Sequence, residues 1–117
     1  MNERPVVVLA TSELMLQSRL SESLKQLGYE VLIGDSGEAL GKALAAQPLA
    51  LLLDLQSPGE PLQVIERAVE AQIPVLAYGQ HTKANILRQA REAGDSIAVP
   101  RSEVVEDLQG LLARLSR

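Results

Sequence analysis

Residues that could form a chemical site, most of them polar, follow five apolar segments of this sequence. They are Thr11, Ser12, Glu13, Gly34, Asp35, Asp54, Gly79, Gln80, His81, Pro100, Arg101 and Ser102. Asp54 directly follows the most apolar run of the chain, and Arg101 follows another short apolar run. A guanidinium binds a carboxylate through two parallel hydrogen bonds, which a lysine cannot do. The residue types therefore predict an Asp54–Arg101 ion pair.

The other polar residues each allow a chemical and a structural interpretation. Glu13 is either a single metal ligand or an acid in the first turn of a helix, where the helix dipole favours negative charge. Thr11 and Ser12 are either phosphate ligands or helix caps, and the second is favoured because no glycine-rich loop accompanies them. His81 has no serine or cysteine partner at a recognisable spacing, which favours a solvated loop residue over a general base.

Composition excludes several classes of function. The 117 residues contain no cysteine, one histidine and two aromatic residues, which argues against thiolate or histidine metal sites and against base stacking. A net charge of -4 argues against general binding to nucleic acids or anionic membranes. No apolar run is long enough to span a bilayer. We therefore expect a single cytoplasmic domain over residues 1–117 that is not an enzyme.

Alternating apolar runs and helical patterns predict five strands and five helices. The strands are predicted at residues 6–10, 29–33, 49–53, 73–78 and 96–99. Ser12 and Ser36 are predicted to cap the first two helices. Pro61 is expected in the first turn of the third helix, and the last two are predicted to start at Thr82 and Ser102. Gly28 and Gly94 are expected to end two of them. This order predicts an α/β fold with a five-stranded parallel sheet, residues 49–53 at its centre and helices on both faces. Any site then lies at the carboxyl ends of the strands.

Several short motifs match a known family in the right order. They are Leu27-Gly28-Tyr29-Glu30-Val31, Ser36-Gly37-Glu38-Ala39-Leu40, Leu51-Leu52-Leu53-Asp54-Leu55-Gln56-Ser57-Pro58-Gly59, Ile73-Pro74-Val75-Leu76 and Ala93-Gly94. With them, the sequence resembles the receiver domain of bacterial two-component response regulators, from Pro5 to Leu115. The resemblance implies a flavodoxin-like (βα)5 fold and makes Asp54 the candidate phosphoacceptor.

The family's other functional positions are changed in this sequence. Thr11 and Ser12 stand where the family has an acidic pair, and only Glu13 matches a neighbouring carboxylate. Gly79 replaces a Thr or Ser, Arg101 replaces a Lys, and Ala98 replaces an aromatic switch residue. Because Mg²⁺ prefers carboxylate and other oxygen ligands, these changes predict no cofactor and at best weak Mg²⁺ binding.

The sequence thus predicts an atypical receiver-like signalling domain, with the phosphorylation switch lost, that binds a protein partner or a second copy of itself. Its candidate docking surface is a locally basic region that contains His81, Lys83, Arg88 and Arg91. The alternative is a phosphorylatable receiver that accepts phosphate from a histidine kinase at Asp54. A flavin- or nucleotide-binding domain of the same fold is disfavoured, because the chain lacks a phosphate-binding loop.

Overall fold

Strands and helices alternate along the chain as predicted. The computed structural model describes residues 4–11, 13–34, 36–56, 60–79, 84–92 and 96–115. The strands are β1 Val6–Ala10, β2 Glu30–Ile33, β3 Ala50–Asp54, β4 Val75–Gly79 and β5 Ser96–Pro100. The helices are α1 Leu14–Gln26, α2 Gly37–Ala45, α3 Pro61–Glu70, α4 Ala84–Glu92, α5 Arg101–Glu106 and α6 Leu108–Leu115. Among these described helices, none combines the length and apolar character needed to cross a membrane.

The five strands form one parallel sheet with the order β2-β1-β3-β4-β5. The apolar run that was predicted to be central is therefore confirmed as the middle strand. Leu51, Leu52 and Leu53 are at most 3% exposed, because helices cover both faces of this strand. The predicted α/β fold with a parallel sheet is confirmed. Strand bounds differ from the prediction by no more than two residues at either end.

Alternation along the strands divides the core into two layers. Val7, Leu9 and Leu52 pack with apolar residues of α1, α5 and α6 on one face of the sheet. Val8 and Leu51 pack with residues of α2, α3 and α4 on the other face. Successive side chains of a strand point to opposite faces, so a strand between two helical layers is apolar throughout.

Local signals in the sequence explain the ends of two helices. Gly28 has a φ of 97°, the left-handed conformation expected of a glycine that follows a helix. The Ser36 hydroxyl accepts a hydrogen bond of 3.1 Å from the Ala39 amide and so caps α2 as predicted. The predicted cap Ser12 lies outside the described residues, as do Thr82 and Gly94. The N-cap residue of α1 is Glu13, whose side chain makes no capping hydrogen bond.

The prediction of one continuous last helix is wrong. The helix breaks at Asp107, whose φ of -137° and ψ of 46° are not helical. The Asp107 carboxylate accepts a 3.3 Å hydrogen bond from the amide of Gly110 and caps the start of α6. Aspartate favours such caps over helix interiors because its side chain competes for backbone amides. The C-terminal segment therefore consists of two short helices, α5 and α6.

Candidate functional site

The candidate site is built where the parallel strands end. Thr11 follows β1, Asp54 is the last residue of β3, and Gly79 is the last residue of β4. Arg101 follows β5 directly and begins α5. Because all five strands run in the same direction, their carboxyl ends lie at one edge of the sheet. We call the residues Thr11, Glu13, Asp54, Tyr78 and Arg101 the rim.

Asp54 is held by neutral donors. The Thr11 hydroxyl donates a 2.8 Å hydrogen bond to Asp54 Oδ2, and the backbone amide of Gln56 donates one of 2.9 Å to Oδ1. Thr11 is only 1% exposed and Asp54 is 7% exposed, so the first bond is buried. The Thr11 hydroxyl also accepts a 3.2 Å hydrogen bond from the Glu13 amide. Thr11 thereby connects the buried carboxylate to the start of α1.

The predicted Asp54–Arg101 ion pair is wrong. The Arg101 guanidinium instead forms an ion pair and hydrogen bond with the Glu13 carboxylate. The side chains of this pair are 38% and 44% exposed, so both charges stay partly hydrated. This location avoids the large desolvation cost of burying a guanidinium beside Asp54. The Glu13–Arg101 pair thus joins the beginning of α1 to the beginning of α5 at the surface of the rim.

Tyr78 lies beside Asp54 in the sheet and is completely buried. Its hydroxyl has no hydrogen-bond partner of acceptable geometry, although the Thr11 hydroxyl is close enough to affect its ionisation. Burial, and then the negative charge of Asp54, raise the pKa of Tyr78 far above its ordinary value. The smaller effects of Thr11 and Arg101 act in the opposite direction. Tyr78 is therefore a neutral, buried member of the rim.

Tyr78→Phe is expected to raise the free energy of unfolding by about 1 kcal/mol, because it removes a buried hydroxyl that lacks a partner. Chemical denaturation of both proteins measures the change. Tyr29→Phe, at a half-buried position, is the control and should change stability by less than about 0.5 kcal/mol. A loss of stability in Tyr78→Phe would mean that a buried water binds the hydroxyl.

The same substitution should change the response to alkaline pH. The raised pKa of Tyr78 means that the folded protein keeps the proton where the unfolded chain loses it. Ionisation of Tyr78 does not affect the free energy of unfolding below the ordinary tyrosine pKa of about 10. Above that value the unfolded chain loses the proton and the folded protein keeps it, so the free energy of unfolding falls as the pH rises. The melting temperature of the wild type should therefore fall more steeply above this pH than that of Tyr78→Phe.

The candidate docking residues have different surroundings in the structure. Arg88 is exposed on α4, as a docking residue requires. Arg91 donates hydrogen bonds of 3.0 and 2.7 Å from Nε and Nη2 to the backbone carbonyl of Ala98. Its guanidinium thus connects α4 to β5, a role that was not predicted from the sequence. His81 and Lys83 lie outside the described residues.

A Mg²⁺ ion, which the resemblance to receiver domains implies, needs several oxygen ligands in octahedral geometry. Both oxygens of Asp54 accept hydrogen bonds, and the Glu13 carboxylate is paired with Arg101. Across the described ranges, no group of three His, Cys, Asp or Glu side chains is placed to hold a metal. Among the described rim residues these donors fit Mg²⁺ poorly, because Arg101 competes for the Glu13 carboxylate and no third carboxylate lies beside Asp54.

Most rim residues were predicted from the sequence, but the contacts between their side chains were not. Glu13, Asp54 and Arg101 lie at the rim as expected, and Ser12 lies outside the described residues. Gly79 is buried as the last residue of β4. Tyr78 was not predicted to lie at the rim. Its position opposite Asp54 follows from the register of β3 and β4, which aligns Leu52 with Leu76 two residues earlier.

Solved receiver domains share this fold. The receiver domain of NtrX from Brucella abortus has a TM-score of 0.82 and 15% sequence identity, and the match covers 93% of this chain and 96% of that chain. A DNA-binding response regulator of the LuxR family from Staphylococcus aureus has a TM-score of 0.81 and 20% identity, with 97% and 99% covered. The chain therefore has the fold of response-regulator receiver domains.

A third similar structure is the signal receiver domain of a modulated diguanylate cyclase from Desulfovibrio desulfuricans G20. Its TM-score is 0.74 at 18% identity, over 97% of this chain and 98% of that chain. No protein-family model and no curated protein sequence matches this chain. Structural likeness at such low identity shows the fold alone, so activity has to be argued from the rim.

Proposed function

We propose that this chain is an atypical receiver-type signalling domain that acts by binding another protein and does not use a Mg²⁺-dependent phosphorylation switch. The observation that carries this proposal is the pairing at the rim. Thr11 donates a hydrogen bond to one oxygen of Asp54, and Arg101 forms an ion pair with the carboxylate of Glu13. The rim is thus held together by contacts within the chain, and it needs no metal or phosphoryl group to reach a defined arrangement.

The changes around Asp54 support the loss of the switch. Transfer of a phosphoryl group needs positive charge close to the transferred oxygens. Thr11 is neutral, and the Arg101 charge is already balanced by Glu13. Ala98 is 1% exposed and has no aromatic ring to reorient, and its carbonyl is held by Arg91. Both the metal site and the moving parts that the resemblance implies are therefore replaced by fixed contacts.

One observation favours the alternative of a phosphorylatable receiver. Asp54 ends the central strand of a receiver fold, and its carboxylate lies at the rim with 7% exposure. A carboxylate at this place could accept a phosphoryl group if the Thr11 hydrogen bond were exchanged. The two candidate functions differ in their requirement for Mg²⁺ and for the charge of Asp54.

Capture of partners from host cells distinguishes the two functions. Immobilised wild type and Asp54→Asn are compared in the presence of a chelator, and then with Mg²⁺ and a small-molecule phosphodonor. We expect one protein to be captured equally in all four conditions, because the proposed contact surface forms without phosphorylation. Capture that requires the phosphodonor and disappears in Asp54→Asn would establish the alternative.

A titration of the purified protein tests the metal separately. We expect no saturable shift of the Thr11 and Gln56 amide signals at submillimolar Mg²⁺. Thr11→Asp is the matched positive control, because it places a second carboxylate beside Asp54 and should create Mg²⁺-dependent shifts at the same amides. Saturation in the wild type comparable to that in Thr11→Asp would overturn the proposed loss of metal binding.

A further inference from the structure

The two edges of the sheet differ in how accessible their backbone groups are to a further strand. The strand order places β2 and β5 at the edges. The register with β4 directs the backbone groups of Ala98 away from the sheet, and the Arg91 guanidinium occupies its carbonyl with two hydrogen bonds. A charged side chain folded over an edge strand prevents further strands from adding there. The β5 edge is therefore blocked.

Among the residues that the structure describes, no side chain covers the outer side of β2 as Arg91 covers β5. The amides of Glu30 and Gly34 donate to Pro5 and Leu9, on the β1 side. Because alternate residues of a parallel strand face the same neighbour, the amides and carbonyls of Val31 and Ile33 point away from the sheet. In the part of the chain that the structure describes, no strand pairs with these groups.

The side chains of β2 are also those of a strand that accepts a partner. Val31, Leu32 and Ile33 are apolar and only half-buried. Val31 and Ile33 pack against the core on the α1 face, and Leu32 packs on the opposite face. Charged residues, prolines and bulges usually discourage edge pairing. Glu30 is charged and begins the strand, whereas the three residues that follow it are apolar and pair with β1 in an unbroken register.

The pattern of this edge is complementary to itself. In an antiparallel pair, residues directly opposite alternate between hydrogen-bonded and non-hydrogen-bonded pairs. A two-fold axis at Leu32 places Val31 opposite Ile33 twice, so that all the outward amides and carbonyls of both residues are paired. It also places Val31 beside Ile33 on the α1 face and Leu32 beside Leu32 on the other face. The three central cross-strand contacts then join apolar side chains, and Glu30 at each end of the pair lies opposite Gly34.

The surface next to β2 supports the same partner. An open groove of about 680 Å³ lies between α1 and the end of β2. It is lined by Gln17, Ser18, Ser21, Glu22, Lys25, Gln26 and Ile33. The small Ser18 and Ser21 allow another helix to approach, and a two-fold axis lets Glu22 of each copy approach Lys25 of the other. Opposite charges on one surface favour a second copy over a partner of a single charge sign.

We infer that two copies of this chain associate through their β2 edges in an antiparallel, two-fold arrangement centred on Leu32, which makes one continuous ten-stranded sheet. The edge strand is short and contributes a small contact area, so we expect weak association that is populated only at high protein concentration. The inference gives a specific surface to the predicted homodimer. It does not depend on the proposed function, because none of its residues belongs to the rim and its test measures self-association instead of partner capture.

A disulfide cross-link tests the register. The chain contains no cysteine, so Leu32→Cys provides a single thiol at the centre of the inferred pair. Directly opposed residues of a non-hydrogen-bonded pair are close enough for a disulfide. Ile97→Cys, on the blocked β5 edge, is the matched control. Under mild oxidation we expect a covalent dimer of Leu32→Cys and none of Ile97→Cys. Equal cross-linking of both variants, or none in Leu32→Cys, would overturn the inference.

Val31→Pro tests the same edge without a cross-link. Proline removes the outward amide of residue 31 and leaves the amides that pair with β1 in place, so the sheet should still form. The melting temperature should fall, because the core contacts of the Val31 side chain are lost. We expect analytical ultracentrifugation to show a concentration-dependent dimer for the wild type and loss of it for Val31→Pro. The amides of Val31 and Ile33 should exchange hydrogen more slowly as wild-type concentration rises, whereas the Leu32 amide, which faces β1, should not change.

The inferred dimer would be contradicted by a wild type that remains monomeric at its highest soluble concentration. A dimer that Val31→Pro leaves intact would also contradict it. If the wild type is monomeric and its capture of another protein is lost in Val31→Pro, the β2 edge binds an extended peptide of a different protein and not a second copy.

Discussion

Leu52→Ala is expected to lower the free energy of unfolding by about 2 to 5 kcal/mol, the range for emptying a packed site in a core. Leu52 is completely buried at the middle of the central strand. Its neighbours across the sheet are Leu9 on β1 and Leu76 on β4, and both are also completely buried. Because strands on both sides fix the backbone, the surrounding side chains have little freedom to fill the cavity. Chemical denaturation monitored by circular dichroism measures the loss.

The control for Leu52→Ala is Leu14→Ala at the start of α1. Leu14 is 74% exposed, so its truncation removes little buried surface and should change stability by less than about 0.5 kcal/mol. A loss below about 1 kcal/mol for Leu52→Ala would contradict the central position of β3. Comparable losses for the two variants would contradict the burial of Leu52.

Thr11→Val is expected to lower the free energy of unfolding by about 1 to 3 kcal/mol. Valine has nearly the same shape as threonine, so the substitution removes the hydroxyl and leaves the packing in place. Asp54 Oδ2 then loses the donor that compensates its burial, and the Glu13 amide loses its acceptor. The cost of an unsatisfied buried group is larger when that group is charged. Equilibrium denaturation at neutral pH measures the change.

A double-mutant cycle separates these two contributions. In the Asp54→Asn background, the side chain opposite Thr11 is neutral, so the cost of Thr11→Val should be smaller than in the wild type. The difference between the two costs is the coupling of Thr11 to the charge of Asp54. An equal cost in both backgrounds would show that the charge of Asp54 adds nothing to its hydrogen bond with Thr11.

The sequence predicted the sheet because strong local signals agreed with one another. The apolar run before Asp54 belongs in a strand covered on both faces, and Gly28 and Ser36 mark helix ends by their own chemistry. The break in the last helix was not predicted. Asp107 lies within the segment predicted as one helix, whereas its side chain caps a second helix that packs through Leu108 and Leu111.

The partners at the rim could not be predicted from residue types. Arg101 has two carboxylates nearby in the fold, and the sequence offered no means of ranking them. The choice depends on depth: Asp54 lies below the surface with hydroxyl and amide donors already in place, whereas Glu13 remains accessible to water. A partly exposed ion pair costs less desolvation than a buried one, so Arg101 binds Glu13.

The two polar contacts of the rim close chain segments of very different length. Thr11 and Asp54 are 43 residues apart, and Glu13 and Arg101 are 88 residues apart. Doubling a loop adds only about 0.6 kcal/mol to the entropy cost of closing it, so the longer closure costs little more than the shorter one. Arg101 is synthesised 88 residues after Glu13. Since a domain folds as a unit, a nascent chain that ends before Arg101 lacks the ion pair that joins α1 to α5.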